Sequence, residues 1–292
     1  MQKVYLRRQG QALLLIVITL AVVMTVALSV AARSITDIKI TTSEEDSFRA
    51  FSAAEAGIEK TLVTGSAESD TFSPNGASFS STVSAIAAGL RVFNYPLELL
   101  SDDTATLWFV SHDANNDLVC NPPSEPCFTG NSLRVCWGSS ATINEFTPAI
   151  QVAVYYDPTA DGNYNDLKVA YAGYDPSATR RSSNFYLPNS GSNCSIGGKS
   201  YAFQRDINLV DLGISNFSAN GLVFAQIKML YNELVAEPVG FSTNADLPGQ
   251  GRQIESIGQA GESTRKVQVY SLYPGFPSVF DSALFSPVAI TK

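Results

Sequence analysis

The chain has 292 residues, of which 16% are charged, with a net charge of −8, one His and four Cys. That charge content is well below the roughly 25% of soluble globular domains. The acidic excess excludes nucleic acid as the main partner, because phosphates are neutralised by clustered Lys and Arg. A single His112 limits His-built metal centres and Ser–His or Cys–His catalysis, while 45% apolar residues exclude wholesale disorder.

The N-terminus opens with Lys3, Arg7 and Arg8, then Gly10, then an uncharged run from Ala12 to Ala32. As a helix that run rises about 32 Å, matching a hydrocarbon core of about 30 Å. Thr19, Thr25 and Ser29 interrupt it only mildly, since such hydroxyls bond back to carbonyls one turn earlier. The basic leader stays cytoplasmic under the positive-inside rule, which sends the C-terminal bulk outward. Beyond the membrane, Ile35, Ile38, Phe48, Phe51, Ala54, Ile58 and Leu62 recur at three- and four-residue steps. They predict one helix over 11–62, with the Thr-rich patch at 36–43 as its weakest part.

After Gly65 the composition turns to Ser, Thr, Gly and Asn, and 66–84 reads as a loop. Residues 86–100 read as a short helix or irregular cover. From Thr104 strands dominate: 104–110, 132–137, 149–156, 167–174, 199–209 and 222–231 are β-branched and aromatic between turn formers. In the last of these, Val223, Ala225, Ile227, Met229 and Tyr231 alternate with polar residues, as on a half-buried strand. Residues 252–257 and 265–273 flank a turn and predict a hairpin, with Val267 and Val269 inward and Lys266 and Gln268 outward. The tail 274–287 carries Phe276, Phe280, Leu284 and Phe285 for packing on the sheet or the helix. Trp108 and Trp137 read as core, and Tyr155, Tyr156, Tyr171 and Tyr174 as aromatics of amphipathic strands.

Arg7-Arg8-Gln9-Gly10 followed by Gln-Ala-Leu-Leu-Leu resembles a type IV prepilin leader. Ser47-Phe-Arg-Ala-Phe-Ser-Ala-Ala-Glu-Ala-Gly-Ile-Glu59 is similar to the Ala-Glu-Ala helix end of minor pilins of the PilX-like kind, and 251–286 looks like their closing portion. The resemblance implies cleavage between Gly10 and Gln11 by a prepilin peptidase, methylation of the new N-terminus, and delivery by an assembly platform into a filament of other pilins or pseudopilins. Leu13, Leu14, Leu15, Ile16, Val17, Leu20, Val23 and Leu28 would form the membrane and assembly surface. Two positions depart from the family: Leu15 stands where pilins place a Glu, and Gln11 where an aromatic is common. Loss of that Glu is typical of some minor, tip-located subunits. Removing the leader deletes three bases and no acid, so the mature chain is more acidic still.

The expected fold class is therefore α+β, a long N-terminal transmembrane and assembly helix packed on a mostly antiparallel, pilin-like β-sheet domain. The expected organisation is a leader at 1–10, a helix at 11–62 with its membrane part at 12–32, a connecting segment at 63–103, and an extracytoplasmic head at 104–292. The expected role is a minor pilin or pseudopilin, at the cell membrane before assembly and on a pilus or the cell surface after it, in adhesion or secretion. The alternative is a single-pass anchored binding module that joins no filament. Opposite charges at Arg33, Lys39, Glu44, Glu45, Asp46, Arg49 and Glu55 either set register between bundled helices or form a solvated face.

Two chemical patterns fall in the exported part. Cys120, Cys127, Cys136 and Cys194 allow three disulfide pairings, and Cys120–Cys127 with Cys136–Cys194 is the expected one; without a Cys-x-x-Cys pair, zinc is disfavoured. Asp157, Thr159, Asp161, Asn163 and Asn165, with Gly162 at the turn, follow the opening of a Ca2+ loop, but Lys168 replaces its closing Glu. Asp166 would have to complete the ligands. The competing reading is a polar hairpin turn, since Asp, Asn and Gly favour turns regardless of an ion. No nucleophile elbow, phosphate loop or dinucleotide fingerprint is present, and enzyme activity is not expected.

Overall fold

The computed structural model describes residues 9–73, 76–139, 146–181, 185–188 and 194–276, with backbone alone for 9–11. The first element, α1 (Gln9–Thr64), is followed by β1 (Ser69–Phe72), β2 (Ala77–Ala85), β3 (Val92–Asn94), β4 (Thr104–Trp108), β5 (Ser111–His112), β6 (Leu118–Val119) and β7 (Ser132–Trp137). Then come β8 (Ala149–Tyr156), β9 (Lys168–Tyr174), β10 (Cys194–Ile196), β11 (Lys199–Tyr201), β12 (Phe203–Asn208), β13 (Leu222–Leu230), β14 (Val239–Thr243), β15 (Gly251–Ala260) and β16 (Ser263–Leu272). The class is α+β, one long N-terminal apolar helix with antiparallel sheets. The chain divides into two compact units, 1–83 with 254–269, and 84–253 with 270–292.

In the first unit, α1 runs unbroken for 56 residues. Its hydroxyls cooperate: Thr19 and Thr25 donate to carbonyls three residues back, and Thr36, Thr41 and Thr42 to carbonyls four back. The helix ends where Gly65, at φ 71°, turns left-handed and donates its N–H to the Thr61 carbonyl at 2.8 Å. Its buried stripe is Ala50, Ala53, Ala54, Gly57, Ile58 and Thr61, which faces a sheet in the order β1-β2-β15-β16. The large residues expected on that stripe, Ile35, Ile38, Phe48, Phe51 and Leu62, are exposed instead; of the expected set only Ala54 and Ile58 are buried. The reason is closeness. A Cβ on Gly258 would lie 1.9 Å from the Ala50 carbonyl oxygen, and one on Gly57 would lie 2.3 Å from Ser256 Oγ. Backbones that near admit only small residues between them.

The segment read as a loop, 66–84, contains the β1–β2 hairpin, with Ser69 opposite Ser80 and Phe72 opposite Ala77. Ala77, Phe79 and Ser81 face inward on alternate positions, and Ala77 and Phe79 pack with Ala50, Ala53 and Ala260. Serine between them hid the alternation. The predicted β15–β16 hairpin is present, with Val267 and Val269 half-buried and Lys266 and Gln268 exposed as expected. Its tip reaches α1, where Arg265 donates to Ser47 Oγ at 2.9 Å.

The second unit is a sandwich of two four-stranded sheets, β12-β7-β14-β3 and β4-β13-β8-β9. Trp137, Leu133 and Val135 from β7, Phe241 from β14, Ile150, Val152 and Val154 from β8, and Ala225 and Ile227 from β13 meet in one core. Residues 86–100, left open between helix and cover, include β3 within an otherwise irregular stretch, so strands begin before Thr104. The β10–β11 hairpin is clamped by the Cys136–Cys194 disulfide and by Tyr201, whose hydroxyl donates to Asn94 Oδ1 at 2.7 Å. Burial pushes that phenol's pKa up to about 12.

The centre of the β4-β13-β8-β9 sheet, along β13, is buried on both faces. Its outer face carries Trp108, Val110, Val223 and Phe224, with Tyr155, Tyr164 and Tyr273 against them. Hence β13 is a central strand buried through Ile227 on both sides, not the half-buried strand its alternation predicts. Tyr231 lies outside it, at φ 68°. Of the four expected strand tyrosines, Tyr171 is exposed but Tyr174 is buried, its ring under the Arg205 guanidinium at 5.1 Å. Both tryptophans are core, as expected. Gln250 serves the outer sheet like an extra strand residue: its side-chain amide accepts from Trp108 N at 2.8 Å and donates to Trp108 O at 2.9 Å. Phe280, Leu284 and Phe285 lie outside the described residues, and Phe276 packs on the outer face.

His112 ends β5 and opens a hairpin with β6, and Asp113 Oδ1 closes the turn by accepting N–H groups of Asn115 and Asp117. Its ring stacks on Tyr273 at 3.9 Å and meets Trp108 edge-on at 4.5 Å. Burial lowers its pKa to about 4, against an opposing pull from Asp113. The fold therefore prefers the neutral ring, and its contribution is complete above the unfolded value near 6.5 and lost as pH falls from there toward 4. Urea titrations at pH 7 and pH 4.5 should show the chain losing about 1–2 kcal/mol more than His112→Gln, the ring being part-exposed. An equal loss in both proteins would remove His112 from the account.

Candidate functional site

Residues 12–32 of α1 form a cylinder of exposed apolar side chains. Leu13, Leu14, Leu15, Ile16, Val17, Leu20, Val23 and Leu28 all stand exposed, Leu13 by 70%. Covering each is worth about 1.5–3 kcal/mol, so water is a poor solvent for this segment. Its hydropathy and length suffice to cross a membrane once. The expected cleavage point, Gly10–Gln11, falls in the first turns of α1, and leader residues 1–8 lie outside the described residues.

Past the apolar run the helix has two faces. One carries the small residues that meet the sheet. The other carries Phe48 and Phe51 and borders a groove of about 520 Å3 lined by Glu45, Phe48, Arg49, Ser52, Ala53, Ala56, Phe72 and Ala77. Arg49 pairs within its own helix, with Glu45 and, at 3.9 Å, with Asp46. Such exposed pairs contribute a few tenths of a kcal/mol and fix local geometry only. Arg33, Lys39, Glu44 and Glu55 are exposed along the same stretch.

The cysteines pair as expected, Cys120 with Cys127 and Cys136 with Cys194, and no described cysteine is free. The second bridge spans 58 residues, a loop length at which cross-linking removes roughly 4 kcal/mol of unfolded-chain entropy.

The acidic loop joins β8 to β9, with Tyr156 opposite Lys168 at its base. Asp157 is fully buried and its carboxylate faces into the loop. It accepts from Thr159 N at 2.8 Å, the Thr159 hydroxyl at 2.7 Å and Gly162 N at 3.3 Å. Burial pushes its pKa up, but the Thr159 hydroxyl and the N–H groups of Thr159, Ala160 and Gly162 outweigh it and hold the carboxyl below its ordinary value. Asp161 Oδ1 accepts from Asn163 N at 2.8 Å, and Asn163 Oδ1 accepts from the Asn165 side chain at 2.6 Å. Gly162 occupies the left-handed turn at φ 77°. Among the described residues no three His, Cys, Asp or Glu side chains group so as to hold a metal. The Asp157, Asp161 and Asn163 oxygens expected to ligate Ca2+ accept hydrogen bonds within the hairpin, an arrangement that fits the competing turn reading. Asp157→Ala is expected to cost about 2 kcal/mol, equally in calcium and in chelator, measured by thermal melts. A loss confined to calcium-containing buffer would assign the carboxylate to an ion.

Sequence patterns missed two features. Buried Asp175 receives both Arg180 Nε and a terminal guanidinium nitrogen at 2.8 Å, and the segment Tyr273–Phe276 lies across the outer face of the sandwich. The second has no local signature, since the strap's partners are 50 or more residues away. No protein-family description, curated protein or solved structure matches the chain.

Proposed function

We propose that the chain is a minor type IV pilin or pseudopilin, a structural subunit rather than an enzyme. The observation that carries this reading is α1: one unbroken helix of 56 residues, apolar and exposed over 12–32, and packed beyond that on an antiparallel sheet through Ala50, Ala54 and Gly258. A helix that is half membrane span and half domain spine can leave lipid for a bundle of like helices while its head stays folded. Two disulfides support an oxidising compartment for the head, and the basic leader supports a cytoplasmic N-terminus. In this reading prepilin peptidase cuts between Gly10 and Gln11, the assembly platform extracts the helix, and the partners are other pilins. Leu15 in place of an acidic residue favours a minor position.

The test is the intact mass of the full chain produced with and without a prepilin peptidase. The expected product is residues 11–292 carrying one methyl group. Retention of residues 1–10 in its presence would instead support an anchored binding module outside any filament.

A further inference from the structure

The outer face of the β4-β13-β8-β9 sheet carries an aromatic floor. Phe224 lies opposite both Trp108 and Tyr155 in register, 5.0 Å from the first ring and stacked at 4.3 Å on the second. One row along β13, Gln226 stands beside this floor and is 2% exposed. Tyr273–Phe276 crosses it as a strap. Tyr273 stacks on His112, and Gly275 approaches so closely that a Cβ there would lie 2.0 Å from Thr106 Oγ1. Phe276 sits over Phe224 at 5.4 Å and over Tyr155 at 6.0 Å, while its carbonyl accepts from Gln226 Nε2 at 2.9 Å.

The strap fits this face incompletely. Gln226 Oε1, Trp108 Nε1 and His112 Nδ1 are all buried without a hydrogen-bond partner. Buried polar groups are nearly always satisfied, and each orphan costs about 1–3 kcal/mol. Gln250 shows what a buried carboxamide does elsewhere on the same sheet: it takes both the N–H and the carbonyl of one backbone residue. Gln226 makes only the carbonyl half of that arrangement. Phe276 itself is 49% exposed, so its ring is only half enclosed.

We propose that this face is a recognition site for an extended peptide segment of a partner protein, one that presents an aromatic side chain. In this assignment the strap is an intramolecular occupant. The aromatic ring of the partner takes the place of Phe276 on Phe224 and Tyr155. Gln226 brackets its backbone through both amide atoms, and Trp108 Nε1 and His112 Nδ1 supply a further donor and acceptor. The floor alone would suit a sugar ring, but the seated Phe276 and its carbonyl bond favour a peptide. The proposal is independent of filament assembly.

The test uses the full chain in detergent, with tryptophan fluorescence as readout and the synthetic peptide Tyr-Pro-Gly-Phe-Pro, blocked at both ends, as probe. The tethered strap competes at an effective concentration of order millimolar, so Phe276→Ala should bind the peptide at least about tenfold more tightly than wild type. A peptide with Ala for Phe should not bind, and adding Gln226→Leu to Phe276→Ala should weaken binding about tenfold. The thermal midpoint of each variant verifies that it is folded, and Trp108→Phe assigns the fluorescence change to this face. Absence of saturable binding to folded Phe276→Ala overturns the proposal, as does binding equal in wild type and both variants. Binding of cello- or chito-oligosaccharides in place of the peptide overturns it in favour of a glycan.

Discussion

Gly258→Ala is expected to destabilise the helix-bearing unit by about 3 kcal/mol, the upper part of the range for overpacked sites. The added methyl would stand 1.9 Å from the Ala50 carbonyl oxygen and 2.5 Å from the Ala54 amide nitrogen. Both are backbone atoms of α1, so no rotamer change relieves the contact. Either the helix moves outward, opening gaps around Ala53, Ala77 and Phe79, or β15 leaves its register. Gly249→Ala is the control, because its nearest neighbour would be a methyl at 4.0 Å. Urea unfolding in detergent gives the energies, and hydrogen exchange over 46–62 locates the loss. A cost below about 0.5 kcal/mol for Gly258→Ala would mean that helix and strand do not depend on contact this close.

The same contact explains what could be read from the sequence and what could not. The helix was legible because no proline interrupts 11–62, and because an uncharged run of membrane length is a strong, local signal. Its buried face was not. Periodicity weighs residues by hydrophobicity, which favours Ile38, Phe48 and Phe51, whereas the sheet selects by size and takes Ala50, Ala54 and Gly57. The hairpin at 69–85 escaped for a related reason: its run of serines looks like a linker until Ala77, Phe79 and Ser81 are seen buried on alternate positions. At β13 the error ran the other way. Gln226 marks that face as exposed by composition, yet a strap from the far end of the chain covers it. The acidic loop was legible as a turn with oxygen at alternate positions. Whether those oxygens serve an ion or their own backbone is decided by orientation, which no spacing encodes.

These distinctions bear on how the molecule divides its work. The large apolar residues of α1 other than Ile58 are exposed, and the small ones Ala50, Ala53 and Ala54 are buried against the domain's own sheet; in the proposed filament the exposed set would meet other helices. A pilin-like subunit needs both sets on one helix, since a face spent on the head is lost to assembly. The sandwich carries separate devices, two disulfides among them, that hold its loops without drawing on the helix.

Arg180→Ala should be the most costly substitution in the sandwich, at about 3–5 kcal/mol, because it leaves a buried carboxylate without its counter-charge. Asp175 is fully buried and accepts two charged hydrogen bonds from Arg180 and a further one from Ser177 N at 2.8 Å. The guanidinium also donates to the Thr147 carbonyl at 2.7 Å and lies over the Tyr231 ring at 4.5 Å. Arg180→Lys keeps the charge but loses the paired geometry and much of the stacking, so it should recover only part of the loss. The decisive variant is the double one. Asp175→Asn with Arg180→Met removes both charges, and should restore all but about 1–2 kcal/mol of wild-type stability if the cost of the single change is the stranded charge. Urea midpoints of the four proteins measure this directly. A double variant as unstable as Arg180→Ala would shift the explanation from the charge to the packing that the arginine provides over Tyr231.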